Sequence, residues 1–259
     1  MLADESTHHP SDAPADPAGS RRRSLFGAIA VAHGIAVSGC SIAATPAVQI
    51  TAGYGPRAVA AGFGAVWVID TLYLMKVDPT TDAVTKTVQL ETPDQGEIYD
   101  IAVGGGAIWV AAQLDGANPK SSSGTVLRID PATMAITATV RVGDSSMSVG
   151  DSSPSIVSSP MGVWVADESS YSGGSVSRID PTTNAAAAAI DVSPLVSRRI
   201  AYGDGSVWVV GRGAVARIDA ATGKLVRTIP VSEGSWSVAV GPGAVWITNG
   251  PNGTATQTD

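Results

Sequence analysis

Five tryptophans recur in one local frame, and that recurrence decides most of what this chain can fold into. The frames are Gly64-Ala65-Val66-Trp67-Val68, Gly106-Ala107-Ile108-Trp109-Val110, Gly162-Val163-Trp164-Val165, Gly205-Ser206-Val207-Trp208-Val209 and Gly243-Ala244-Val245-Trp246-Ile247. A second motif follows four of them: Val77-Asp78-Pro79-Thr80-Thr81, Arg128-Ile129-Asp130-Pro131-Ala132-Thr133, Arg178-Ile179-Asp180-Pro181-Thr182-Thr183 and Arg217-Ile218-Asp219-Ala220-Ala221-Thr222-Gly223. Successive tryptophans stand 42, 55, 44 and 38 residues apart. That brackets the period of roughly 40–50 residues of a propeller blade.

Each unit reads as four short strands. An apolar run ends in a glycine turn, as in Ile101-Ala102-Val103-Gly104, and the tryptophan strand follows it. The third strand runs into Asp-Pro-x-Thr, where proline fixes φ and the aspartate can bond the backbone ahead of it, a turn into strand four. No sustained 3.6-residue apolar period follows Cys40, so helices are not expected. The expected fold is all-β, a β-propeller of five four-stranded blades. The fifth unit runs out after a third strand, and a strand-four-like segment, Ala47–Thr51, precedes the first unit. Pairing that N-terminal strand with the last blade would close the ring and remove an open edge. The alternative is a chain whose remaining blades are lost from the C-terminal end.

The first forty residues have a different character. Residues 1–20 are acidic and rich in Pro and Ala, without apolar period, a composition that favours disorder. Arg21-Arg22-Arg23, an apolar run from Leu25 to Val37 and Ser38-Gly39-Cys40 then give the three parts of a secretory signal. The apolar run is shorter than the roughly twenty residues a spanning helix needs. Arg22-Arg23-Ser24-Leu25-Phe26 resembles a twin-arginine export signal, and Val37-Ser38-Gly39-Cys40 resembles the bacterial lipobox, in which the cysteine is acylated. The expected layout is a removed leader and signal at 1–39, a lipidated tether at 40–46 and a propeller at 47–259. The protein is expected to be exported and held on the outer side of the bacterial cell membrane by lipid on Cys40.

Processing at Cys40 would discard His8, His9 and His33, the only histidines in the chain. Zinc sites built on histidine, Ser-His-Asp triads and Cys-His pairs are then excluded, as is a disulfide. Residues after Gly39 carry thirteen Lys and Arg against nineteen Asp and Glu. This acidic balance argues against nucleic acid, which needs a basic stripe.

The glycine-x-V-W-V strand followed by R-I-D-P-x-T resembles the YVTN-type and virginiamycin-B-lyase-like propeller repeats of exported bacterial proteins, over nearly all of the chain after the signal. For the lyase of that group the resemblance implies magnesium and a catalytic histidine, and no histidine remains here after processing. Asp219-Ala220-Ala221-Thr222-Gly223-Lys224 resembles the repeat of quinone-cofactor propellers, but Arg227 stands where that repeat has tryptophan. It is read as a turn, and no cofactor and no metal are expected.

A propeller places the start of each first strand at one mouth of its central channel. Ten residues before each repeated tryptophan stand Arg57, Tyr99, Pro154, Arg198 and Trp236; one residue later come Ala58, Asp100, Ser155, Arg199 and Ser237. Arginines beside aromatic rings and a carboxylate suit a small polar, anionic or sugar-like ligand. The candidate ligand-binding set is therefore Arg57, Tyr99, Asp100, Arg198, Arg199 and Trp236. Trp236 stands outside the repeated frame, while the five repeated tryptophans are expected to pack blade on blade. Loop residues Asp94, Glu97, Asp115, Asp167, Glu168 and Tyr171 share that face, without calcium-loop spacing.

The function expected from these features is a non-catalytic binding module of the cell envelope, monomeric, taking a small polar or anionic ligand or an envelope protein. The competing readings are a glycosidase-like enzyme working by carboxylates, with Asp100 as its candidate acid, and a lyase-like metal enzyme that lacks the histidine usual in that group.

Overall fold

In a computed structural model the described residues are 48–53, 55–92, 96–113, 124–143, 154–167, 173–250 and 254–258. They belong to one compact unit, Ala47–Asp259. The leader, the signal and Cys40 lie outside the described residues, as do Asp94, Asp115, Glu168 and Tyr171. Among the described residues there is no helix.

The described residues form nineteen strands in five antiparallel sheets, each a run of consecutive strands. Blade one is β1 (Ala58–Gly62), β2 (Ala65–Ile69), β3 (Tyr73–Asp78) and β4 (Ala83–Gln89). Blade two is β5 (Ile98–Gly104), β6 (Ala107–Gln113), β7 (Gly124–Ile129) and β8 (Ile136–Val142). Blade three is β9 (Ser155–Ser159), β10 (Gly162–Asp167), β11 (Ser175–Ile179) and the two-residue β12 (Ile190–Asp191). Blade four is β13 (Ser197–Gly203), β14 (Ser206–Gly211), β15 (Ala214–Asp219) and β16 (Lys224–Pro230). Blade five has three strands, β17 (Ser235–Gly241), β18 (Ala244–Asn249) and β19 (Thr254–Thr258).

The turns follow from the residues that make them. Phe63 and Gly64 both take positive φ, 53° and 72°, as do Asp204 and Gly205 at 49° and 71°. Two successive left-handed residues match the twist of flanking strands, which makes these tight hairpins. The Asp turns between strands three and four behave as the sequence predicts. Asp130 Oδ1 accepts from Thr133 N at 2.7 Å and Thr133 Oγ1 at 2.9 Å, and Asp219 Oδ1 does the same with Thr222, at 2.7 and 2.6 Å. Asp78 and Asp180 bond Thr80 N and Thr182 N at 2.8 and 2.7 Å.

Packing between blades repeats one pattern. In every blade the tryptophan of strand two points to one face and the two flanking aliphatics point to the other, as the period of two requires. Trp67 joins Ile108 and Val110 of blade two in one core cluster, and Trp109 joins Val163 and Val165 of blade three. Trp164 meets Val207 and Val209 of blade four, and Trp208 meets Val245 and Ile247 of blade five. A basic residue of strand three lies over each of these four rings: Lys76 on Trp67, Arg128 on Trp109, Arg178 on Trp164 and Arg217 on Trp208, at 5.3–5.8 Å. The R-I-D-P motif therefore serves two ends, a cover for the tryptophan and a turn.

The N-terminal closing strand expected from the sequence is not part of the fifth sheet. Among the described residues, Val48–Ile50 form no strand, and β19 has no fourth-strand partner. Ile50, Ala52 and Pro56 instead lie with Val66, Val68, Val77 and Pro79 on the outer face of blade one. That face offers Val66 and Val68 as apolar surface, whereas β19 (Thr-Ala-Thr-Gln-Thr) offers only a polar edge. First strands lie beside one another in the order β1, β5, β9, β13, β17, with no comparable approach of β17 to β1 among the described residues.

Candidate functional site

The candidate residues sit where strand one begins, and the backbone there has a shared irregularity. The register of β5 on β6 shifts between Ile98 and Asp100, that of β13 on β14 between Ser197 and Arg199, and that of β17 on β18 between Ser235 and Ser237. The bulged residues are therefore Tyr99, Arg198 and Trp236. A bulge inserts one residue without a ladder partner and re-aims its side chain. Three blades thus use one device, at one position, to turn a large side chain out of the alternation of strand one. Blade one has Arg57 just before β1, its N–H bonded to Ile69 O at 2.8 Å, and blade three has Pro154, buried.

The structure gathers these residues into three local groups, each bridging neighbouring blades. In the first, the Arg57 guanidinium bonds Glu97 Oε2 at 2.8 Å and Ile98 O at 3.2 Å, and lies 4.9 Å from the centre of the Tyr99 ring. Burial, with the Glu97 charge beside it, pushes the Tyr99 phenol above its usual value and keeps it neutral.

The second group is built on Asp100. Its Oδ1 accepts from Ile101 N at 2.9 Å; its Oδ2 accepts from Ser155 Oγ at 2.8 Å and Ile156 N at 3.0 Å. Burial raises the Asp100 carboxyl above the ordinary range, opposed by those hydrogen bonds and by the charge of Arg199. Asp100 is thus a clasp from blade two to the first strand of blade three. Both oxygens are engaged by the protein, which is the wrong arrangement for an acid meant to protonate a glycosidic oxygen.

The third group joins blades four and five. The Arg198 guanidinium lies 4.1 Å from the centre of the Trp236 ring, closer than any of the blade-packing pairs. Trp236 is 56 % exposed, and the Nε of Arg198 is buried without a hydrogen-bond acceptor among the described residues. Arg199 is exposed, donating to Arg198 O at 2.9 Å. No carboxylate pairs with Arg198 or Arg199 at ion-pair distance among the described residues. The result is a cation–aromatic platform with positive charge to spare, beside a neutral-to-anionic clasp.

Spacing from the tryptophan placed the six candidates at corresponding positions, and the structure pairs four of them across adjacent blades, Arg57 with Tyr99 and Arg198 with Trp236, while Asp100 bonds blade three and feels the charge of Arg199 from blade four. Among the described residues no hydrogen bond, ion pair or ring contact joins the Arg57 and Arg198 groups. Sequence spacing gave no weight to Ser155 as the partner of Asp100, and no periodicity announces a bulge. Among the described residues no cluster of three His, Cys, Asp or Glu could hold a metal ion. No helix among them is long and apolar enough to cross a membrane.

No family model matches the sequence, and no curated protein matches it either. Solved structures do resemble the fold. A chain of the mitotic checkpoint complex superposes with a TM-score of 0.56 at 13 % identity, over 75 % of this chain and 58 % of that one. The computationally designed Ika8 protein gives 0.54 at 14 %, over 79 % and 58 %. Glutaminyl cyclase from Myxococcus xanthus is a looser match, 0.44 at 13 %, over 74 % and 84 %. The chain therefore spans less than two thirds of the first two structures it matches. The likeness, with the five sheets, defines the class: this is a β-propeller. At these identities it shows the fold and nothing of the activity.

Proposed function

We propose that this chain is a binding module of the bacterial cell envelope, anchored through lipid on Cys40, that takes a small anionic or polar ligand at the Arg198–Trp236 platform without catalysis. The observation that carries the reading is the bulged Arg198 stacked on a half-exposed Trp236, with Arg199 beside it. An exposed indole covering an arginine offers one apolar face and several directed donors, which suits a carboxylate or phosphate attached to a flat or sugar-like body. Arg199, exposed and without a carboxylate at ion-pair distance among the described residues, supports the same reading by adding a second cation beside the ring. The acidic or polar surface of an envelope protein offers the same chemistry to this mouth.

Thermal unfolding of the full chain against organic acids, sugar phosphates, nucleotides and neutral sugars tests the proposal. A ligand present at a hundred times its dissociation constant adds about 2.7 kcal/mol, which raises the melting point by roughly 5–10 °C for a domain of this size. The expected result is a rise with an anionic compound that Trp236→Ala and Arg198→Ala abolish. No rise with any compound, or a rise both variants retain, contradicts the site. For the anchor, Cys40→Ala is expected to move the protein from membrane to soluble fractions of cells, and unchanged fractionation contradicts it.

A further inference from the structure

Two faces of this molecule are built like the inside of a blade interface and, among the described residues, have no blade packed on them. The tryptophan eight residues after each core position of strand one makes the comparison direct. That core position is Val59 in blade one and Ile101, Ile156, Ile200 and Val238 in the others. The latter four are 5–8 % exposed, while Val59 is 61 % exposed. Of the repeated tryptophans, Trp67, Trp109, Trp164 and Trp208 are buried, while Trp246 is 48 % exposed. So blade one shows the aliphatic side of the interface and blade five shows the tryptophan side.

The two surfaces are complementary by construction. Each inner tryptophan meets the pair of aliphatics flanking the next tryptophan, and the one such pair left over is Val66 and Val68 of blade one. Val66, Val68 and Val77, with Ile50, Ala52 and Pro56, line an apolar recess of about 300 Å³. That is about twice the roughly 150 Å³ of a dry apolar cavity that takes up benzene, so an indole ring fits. Blade five also departs from the others at strand three: Trp246 faces Gln257 across the sheet, where the inner tryptophans face Lys76, Arg128, Arg178 and Arg217. Trp246 therefore lacks the cation that covers its four counterparts. Among the described residues the two faces do not cover one another, since Val59 and Trp246 both remain exposed.

We infer that the Trp246 face of one copy docks on the Val59–Val66–Val68 face of a second copy, so that the chain associates head to tail through a fifth version of its own blade interface. The contact is heterologous: a pair of copies keeps one free face of each kind, so growth continues until the arrangement closes on itself. This departs from the monomer expected from the sequence. It is independent of the binding mouth, because Arg198 and Trp236 are not on either face.

Sedimentation velocity of the full chain from about 1 to 100 μM, a range that brackets a micromolar interface, is the test. The wild type is expected to pass from monomer to dimer and larger species as concentration rises. Trp246→Glu and Val59→Glu, both at exposed positions and each checked for an unchanged circular dichroism spectrum and melting point in dilute solution, are each expected to stay monomeric. An equimolar mixture of the two is expected to regain association and to stop at two copies, because one variant keeps only the aliphatic face and the other only the tryptophan face. A wild type that is monomeric throughout overturns the inference. It does so also if Trp246 emission shows a shielded indole at every concentration, since the chain would then have closed its own ring. A mixture that fails to associate while the wild type does, or that grows past two copies, overturns it as well.

Discussion

Blades two to four and blades one and five carry the same motif and meet very different surroundings. Trp109 and Trp164 are sealed between two sheets, each with an arginine of its own blade over the ring; Trp246 has the same sequence frame and stands half in water. Ile101 and Val59 occupy corresponding positions in strand one, and only the former has a neighbour on its side. The lesson is that the repeat encodes a two-sided element. Whether either side is core depends on what stands next to it in the ring, not on the residues that form it.

That comparison can be broken most readily at the tryptophans. Trp109→Ala or Trp164→Ala is expected to lower unfolding stability by about 3–5 kcal/mol, the usual cost of emptying a sealed aromatic site. Trp246→Ala in dilute protein is expected to cost clearly less, on the order of 2 kcal/mol or below, because only about half of the indole is buried. Urea unfolding of the three variants checks both, and equal losses would show that blade five is covered.

Strand one gives a smaller contrast of the same kind. Ile101→Ala is expected to cost about 2–5 kcal/mol, whereas Val59→Ala is expected to fall within roughly 0.5 kcal/mol of wild type. A large loss at Val59 would mean that blade one is not open in solution.

The carboxylates supply a finer distinction, read through pH. Hydrogen bonds from the threonines that follow hold Asp78, Asp130, Asp180 and Asp219 below the usual carboxylate range. Their stabilisation is complete above the unfolded value near about 3.9 and is lost as pH falls through the lower folded values. Asp100 runs the other way. Its folded value is raised by burial, so its contribution is present below about pH 3.9 and fades as pH rises through the raised value. Asp100→Asn is therefore expected to compare better with wild type at pH 7 than at pH 3.5, and Asp130→Ala worse at pH 7 than at pH 3.5. Melting points of both variants across that range check the signs.

Much of the fold was legible because the repeat is short and its residues have single uses. Tryptophan between two aliphatics fixed strand two, and Asp-Pro-x-Thr fixed the turn after strand three. Counting ten residues back from each tryptophan found Tyr99, Arg198 and Trp236, though nothing in their spacing shows that each sits on a bulge. Asp100 read as an open carboxylate because its partners, Ser155 and the Ile156 N–H, come from the next blade, 55 and 56 residues away. The segment before Pro56 alternates like a closing strand, and from sequence alone its expected partner is blade five. Its apolar residues instead line the recess on blade one with Val66 and Val68, a more apolar surface than the polar edge of β19. Trp246 was indistinguishable from the other four for the same reason: ring closure depends on the angle between packed sheets, which no single repeat records.

Hydroxyl-radical footprinting of the six tryptophans in dilute protein, read by mass spectrometry, tests the account most directly. Trp236 and Trp246 are expected to react readily, with Trp67, Trp109, Trp164 and Trp208 protected. Protection of Trp246 equal to that of Trp109, or ready reaction at any of the four inner tryptophans, would contradict it.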